Sequence, residues 1–360
     1  MIICLLFLTL VYGVVNSSSN NNGSNPKLLT MDEVYKTIPE KDLYQAPQGL
    51  SYKNSIDKPE SEDPWVIFQD GYYYYTKTTG DNVTIFKSER LEEVGKSKGI
   101  VVFEASENGP VKSNIWAPGL HLIDGKWYIY TCGSQIKGEM AQRMFVLEGT
   151  TTDPQGKYIF KGFLDKNVMA IDETVIVSKK DNKKYLVWSQ FMPEGQCIYI
   201  GELINPWTLD KKRVMLSKPE FDWEKGGKGN VNEGPQILQK NGRVFIIYSA
   251  SGCWSEFYCL GMLINSDGDF MNPASWLKYD KTVFQKSEEN KVYGVGHCSF
   301  TQSPDGTEDW IVYHGMDDRN GGQGNRSARI QKFSWTVDGV PYFGEPIPSN
   351  RETSVPSGEK

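Results

Sequence analysis

The chain has 360 residues, with 39 Lys and Arg against 45 Asp and Glu, a formal charge of −6 and a pI near 5.4. That balance argues against nucleic acid as a partner, because phosphate recognition needs a basic face. An aromatic share of 12% excludes disorder over most of the length, and no apolar run reaches the ~20 residues that cross a bilayer, so no membrane-spanning role is expected.

Residues 1–15, MIICLLFLTLVYGVV, carry no charged side chain and read as the apolar core of a secretory signal peptide, with a small-residue exit near Gly13. The Lys or Arg that usually precedes such a core is missing. The tract NSSSNNNGSNP follows, and residues 16–30 are expected to form a disordered linker because this composition cannot bury surface. The product expected is a secreted, extracellular protein. Cys4 would leave with the signal, and Cys132, Cys197, Cys253, Cys259 and Cys298 remain. An odd number forbids full pairing, and no CxxC spacing suggests zinc. Cys253 and Cys259, six apart across a predicted hairpin, are candidates for one disulfide, and the other three for buried thiols. Sequons occur at Asn82 and Asn325.

From there the chain repeats itself. DGYYYYT (70–76), DGKWYIYT (124–131), NKKYLVWS (182–189), NGRVFIIYS (241–249) and EDWIVYH (308–314) share a turn followed by a β-rich run closing on an aromatic residue. The closing residues Tyr75, Tyr130, Trp188, Tyr248 and Tyr313 are spaced by 55, 58, 60 and 65. Asp-Gly and Asn-Gly favour tight hairpins because both central positions of a type I′ turn need φ > 0. A second β-like run precedes each turn: 63–69, 115–123, 172–178, 233–239 and 297–303. Short helices are expected only around Thr30–Thr37 and Ser88–Val94. Five all-β units of this length predict one domain over 31–350, a five-bladed β-propeller of four-stranded blades, with 351–360 as a tail. A β-sandwich would give no reason for the fivefold period.

Asp63, Asp172, Glu233 and His297 open four of the five inner runs, at nearly equivalent distances from the closing aromatics. In a propeller the first strands line the axis and run the same way, so these residues should converge on one mouth of the channel. Crowded carboxyls push one another's pKa values apart, leaving one protonated acid and one ionised base. Glycoside hydrolysis needs that pair. Trp65, Trp116 and Trp254 fall near the predicted mouth, where they could stack on a sugar ring. His314 ends a second strand and reads as a core or loop residue. No GxSxG or HExxH is present, so serine-nucleophile and zinc chemistry have no support.

The segments DPWVI, NIWAPGLH, AIDETV, NEGPQIL, GVGHCSF, SPDGTEDWIVYH and RIQKFSWTVDGVP resemble glycoside hydrolase family 43 over about residues 62–346. That family consists of five-bladed propeller enzymes, among them α-L-arabinofuranosidases, arabinanases and β-xylosidases. The resemblance implies Asp63 as general base, Glu233 as general acid and Asp172 as the carboxylate that tunes the acid. It also implies His297 at the channel floor, holding water or a metal ion, and Arg326 on the substrate. No cofactor is implied, and any ion would be a structural calcium in the channel. Family enzymes invert the anomeric centre, with acid and base roughly 6.5–9.5 Å apart.

Two departures stand out. Gly119 occupies the place of the Glu in the family's WAPE, and Cys298 that of an Asn after the histidine. The wording around NEGPQIL, YSASGCW and TEDWIVYHG resembles the arabinofuranosidase branch. The activity implied is release of terminal α-L-arabinofuranose from arabinose- or xylose-containing polysaccharide by a secreted monomer. An arabinanase, a β-xylosidase or an inactive glycan-binding propeller are the alternatives.

Overall fold

Three two-residue turns set the hairpins from which the molecule is built. Asp70-Gly71, Asp124-Gly125 and Asn241-Gly242 have positive φ at both residues, and each joins directly paired strands (Gln69 with Tyr72, Ile123 with Lys126, Lys240 with Arg243). In the computed structural model, which describes residues 27–36, 47 and 49–360, each repeat folds into one antiparallel four-stranded sheet in sequence order. The signal segment and residues 16–26 of the predicted linker lie outside the described residues.

The innermost strands of blades 1 to 5 are Trp65–Gln69, Ser113–Ile123, Ala170–Val177, Asn232–Lys240 and Tyr293–Gln302. Each touches the next, and that of blade 5 touches that of blade 1, so the ring closes. The fold is the expected five-bladed propeller.

Packing between blades supplies the core. Five apolar clusters lie one between each neighbouring pair of blades, including the pair formed by blades 5 and 1. Tyr75, Tyr130, Trp188, Tyr248 and Tyr313 are all fully buried in them. Each such ring is worth about 1.5–3 kcal/mol relative to an exposed one, and the fully buried tyrosine hydroxyls find acceptors, as Tyr130 does on Pro206 O at 2.7 Å.

Closure of the ring uses the segment before blade 1. In blade 5 the fourth strand pairs with only Ser334 and Trp335 of the third, which leaves the edge at 328–330 open. Asn54 covers it, with Nδ2 donating to Ile330 O and Oδ1 accepting Ile330 N–H, both at 2.9 Å. Ile56 N–H donates to Ala328 O at 2.9 Å, and Ser51–Tyr52 pairs with Thr353–Ser354 of the predicted tail. An open strand edge is thereby satisfied.

The two expected helices are short 3₁₀ segments, Met31–Glu33 and Leu91–Lys96, and four further three-residue 3₁₀ turns lie in loops among the described residues. The second starts later than expected because Ser88 still belongs to a strand, and it is fixed by burial of Leu91 and Val94 between blades 1 and 5. No disulfide links Cys253 to Cys259: all five cysteines of the described residues are free. Cys259 sits in the third strand of blade 4 with its Sγ beside Trp223 O and Ala250 O, whereas Cys253 turns to the channel mouth. Cys132, Cys197 and Cys298 are buried thiols, as expected. Among the described residues no helix is long and apolar enough to cross a membrane.

Candidate active site

Every inner strand carries the same irregularity at the same level. Two residues stand opposite one at Ala117-Pro118, Asp172-Glu173, Gly234-Pro235 and His297-Cys298, where the ladder register shifts. In blade 1 the Thr78 N–H bond to Glu62 O and the Trp65–Thr76 pair enclose Asp63-Pro64 in the same way. The first bulged residue is left-handed in all five blades: φ is 56° at Asp63, 47° at Ala117, 64° at Asp172, 54° at Gly234 and 44° at His297. For a non-glycine residue that conformation costs of order 1–3 kcal/mol. Pro64, Pro118 and Pro235 take the second position, which needs no ladder donor.

This bulge corrects the phase expected for blade 4. The residue equivalent to Asp63, Asp172 and His297 is Gly234, and Glu233 is one step earlier, paired with Ser249 and level with Glu62, Trp116 and Ile171. The two levels nevertheless meet. Asp63, Asp172, Glu233, His297, Arg326 and Trp116 line one cavity of about 140 Å³. Thr78, Ile171, Cys253 and Gln323 complete it, and none of these four carries a signal in the repeat.

Asp63 is surrounded by donors and cations. Thr78 Oγ1 donates to Oδ2 at 2.6 Å and is held in turn by Ala117 N–H at 2.8 Å. His297 Nδ1 lies 3.0 Å and Arg326 Nη1 3.8 Å from Oδ1. Burial works to raise the Asp63 pKa, but His297, Arg326 and the Thr78 bond outweigh it and hold the carboxyl at about 2. Arg326 is itself buried and also reaches Glu62 Oε1 at 3.3 Å.

Asp172 and Glu233 sit in the opposite environment. Asp172 Oδ2 accepts Gly234 N–H at 2.9 Å. Burial raises its pKa well above the carboxylate range, and the neighbouring charge of Glu233 adds to that. Glu233 accepts Tyr258 O–H on Oε1 and Gln196 N–H on Oε2, both at 2.8 Å. Burial again dominates and raises its pKa, against the lowering pull of His297 and of these two donors. One carboxyl of the three is held ionised, while the other two favour the proton.

His314 belongs beneath this site rather than to a remote core. Its Nδ1 accepts Asp63 N–H at 3.3 Å, its ring stacks on Tyr258 at 5.3 Å, and burial lowers its pKa well below the usual value. The tryptophans divide. Trp116 lines the cavity, and Trp254 is 49% exposed beside Cys253. Trp65 does not line the cavity: it follows the bulge, so its ring turns outward onto His121 at 4.5 Å and its indole N–H donates to Leu120 O.

Both departures from the family wording fall off the cavity. A Cβ at Gly119 would meet His121 Nε2 at 3.2 Å and the Trp65 ring at 3.4 Å. Cys298 packs in the apolar cluster between blades 4 and 5. The donors around His297 do not make a direct calcium cage, since calcium takes six or more oxygens, and an ion there would be held through water. His297 offers nitrogen and faces a single carboxylate, and no group of three or more His, Cys, Asp or Glu among the described residues is arranged to hold a metal.

The structure is thus a closed five-bladed propeller with three carboxyls gathered at one mouth. Residues 52–341 match glycosyl hydrolases family 43, and the chain belongs to that family. It is 36% identical to alpha-L-arabinofuranosidase 43 of Humicola insolens, over 84% of this chain and 65% of that protein. It is 34% identical to the extracellular exo-alpha-(1->5)-L-arabinofuranosidase of Streptomyces avermitilis, with the same coverage. The chain thus spans just under two thirds of those relatives. An alpha-L-arabinofuranosidase structure from Lactobacillus brevis superposes with a TM-score of 0.77 at 37% identity, covering 83% of this chain and 98% of that one.

Proposed function

We propose that the chain is a secreted, exo-acting, inverting α-L-arabinofuranosidase that works on arabinan or arabinoxylan. The observation that carries this reading is the division among carboxyls in one cavity: Asp63 held ionised by His297 and Arg326, Asp172 and Glu233 holding on to their protons. In this mechanism Asp63 takes a proton from a water as that water attacks the anomeric carbon. Glu233 gives its proton to the departing glycosidic oxygen, so the C–O bond breaks as the O–H bond forms. Asp172 accepts Gly234 N–H and so holds the backbone beside the acid in place. Solvent then returns a proton to Glu233 and removes one from Asp63.

The small volume favours a terminal sugar over a continuous chain. The names of the most similar relatives support arabinofuranose as that sugar and the cell exterior as the place. No step here passes through a calcium ion.

The test is NMR analysis of products from linear arabinan and arabinoxylan, beside p-nitrophenyl α-L-arabinofuranoside and β-D-xyloside. Free arabinose appearing first as the β-anomer is expected. Oligosaccharide products would point to an arabinanase, exclusive cleavage of the xyloside to a β-xylosidase, and no turnover to a glycan-binding propeller.

A further inference from the structure

A run of buried polar residues lies between the two carboxyls to which the proposed function assigns the chemistry. The His297 side chain faces Asp63 at 3.0 Å, and its backbone N–H donates to Ser249 Oγ at 2.8 Å. Ser249 lies beside the Tyr258 hydroxyl, which donates to Glu233 Oε1 at 2.8 Å. Behind it the Tyr258 ring lies on His314 with 8° between planes, and His314 holds the Asp63 backbone. Ser249, Tyr258 and His314 are fully buried; Ser249 and His314 take up the backbone N–H groups of the bulged residues His297 and Asp63, whereas the Tyr258 hydroxyl is spent on Glu233.

The two oxygens of Glu233 are not equivalent. Oε2 faces Gln196 Nε2, which can only donate. Oε1 faces a hydroxyl, which can donate or accept. A proton on Glu233 therefore belongs on Oε1, with the Tyr258 hydroxyl turned to accept it.

We propose that Tyr258 is a positioning residue for the general acid, whose hydroxyl accepts from the protonated Glu233 and rotates to donate to the carboxylate as the proton departs, with Ser249 taking the complementary bond. In that step the Glu233 O–H breaks, the leaving oxygen gains the hydrogen, and Tyr258 keeps its own proton. The bond to Oε1 is strongest once negative charge has developed, so it favours the transition state over the ground state. The inference rests on the acid role given to Glu233 above.

The ionisable groups facing Glu233 are Asp172, Asp63, His297, Cys253 and Tyr258. Of these, Tyr258→Phe removes one donor while keeping the ring on His314. The alkaline limb of the rate profile should move up by about one pH unit, the size expected for one hydrogen bond to a charged group. On arabinan kcat should fall about tenfold with KM within about twofold, and the loss should be smaller on the p-nitrophenyl arabinofuranoside. Ser249→Ala should shift the limb in the same direction by less, and its profile decides the matter if Tyr258→Phe does not fold. An unmoved alkaline limb with equal losses on both substrates would overturn the proposal. Glu233→Gln separates the two levels: full activity in that variant removes the acid itself, whereas an inactive Glu233→Gln beside an unshifted Tyr258→Phe removes only the role of Tyr258.

Discussion

The carboxyl that blade 1 supplies to the cavity and the two supplied by blades 3 and 4 differ in what surrounds them more than in how deep they lie. Asp63 keeps 13% of its side chain exposed and faces a histidine, an arginine and a threonine hydroxyl. Asp172 and Glu233 are buried and receive hydrogen bonds only from neutral donors. Burial alone would push all three upward. His297, Arg326 and the Thr78 hydroxyl beside Asp63 reverse that push at one of them, so chemically similar groups end with opposite proton affinities. Division of labour here is a property of the neighbours.

The harshest break is removal of the carboxyls themselves. Asp63→Asn should lower kcat on every substrate by roughly 10²–10⁴ or more. Glu233→Gln should do the same on arabinan, with a smaller loss on p-nitrophenyl arabinofuranoside, whose leaving group needs less proton assistance. Steady-state kinetics on both substrates checks this pair, and two fully active variants would remove the assignment.

Asp172→Asn sharpens the contrast through stability. The folded pKa of Asp172 is raised, so its contribution to stability is complete at acid pH and is lost as pH rises through the folded value. Asparagine keeps an acceptor for Gly234 N–H without the ionisation. The variant should be inactive, and its melting temperature should gain on that of the wild type as pH increases. A melting temperature of the variant that falls further behind that of the wild type as pH rises would contradict the buried, proton-holding environment.

Arg326→Ala attacks the other side. Without the guanidinium, Asp63 should bind its proton more tightly, and the acid limb of the rate profile should move up by about one unit. An acid limb that stays in place would assign the ionised state to His297 alone. The smallest expected effects concern the tryptophans. Trp254→Ala should raise KM on polymeric arabinan about two- to tenfold, the worth of one aromatic contact. Trp65→Phe should leave KM unchanged and lower the melting temperature, because that ring packs on His121 outside the cavity.

The ring itself was legible because its signals are local. An Asp-Gly or Asn-Gly pair needs only its own backbone to make a turn, and an aromatic that closes each second strand must be buried wherever blades meet. The bulge was harder to read, since it depends on two residues facing one across a ladder, and although Pro64, Pro118 and Pro235 mark it in three blades, Asp172-Glu173 and His297-Cys298 carry no such mark. That one missed residue displaced Glu233 from its true level and turned Trp65 toward the cavity when it faces blade 2. Thr78, Cys253 and Gln323 reach the mouth from loops after the second strands, where no period operates. His314 reads as a core or loop residue and Tyr258 carries no signal in the repeat; both are buried and hold Asp63 and Glu233 from beneath.

The most direct measurement is infrared difference spectroscopy at about pH 5, a little above ordinary carboxyl pKa values, of wild type against Asp63→Asn and against Glu233→Gln. The Asp63 difference should lose an ionised carboxylate band, and the Glu233 difference a protonated carboxyl band. Bands of the opposite kind, or carboxylate loss in both, would contradict the division of roles between blade 1 and blades 3 and 4.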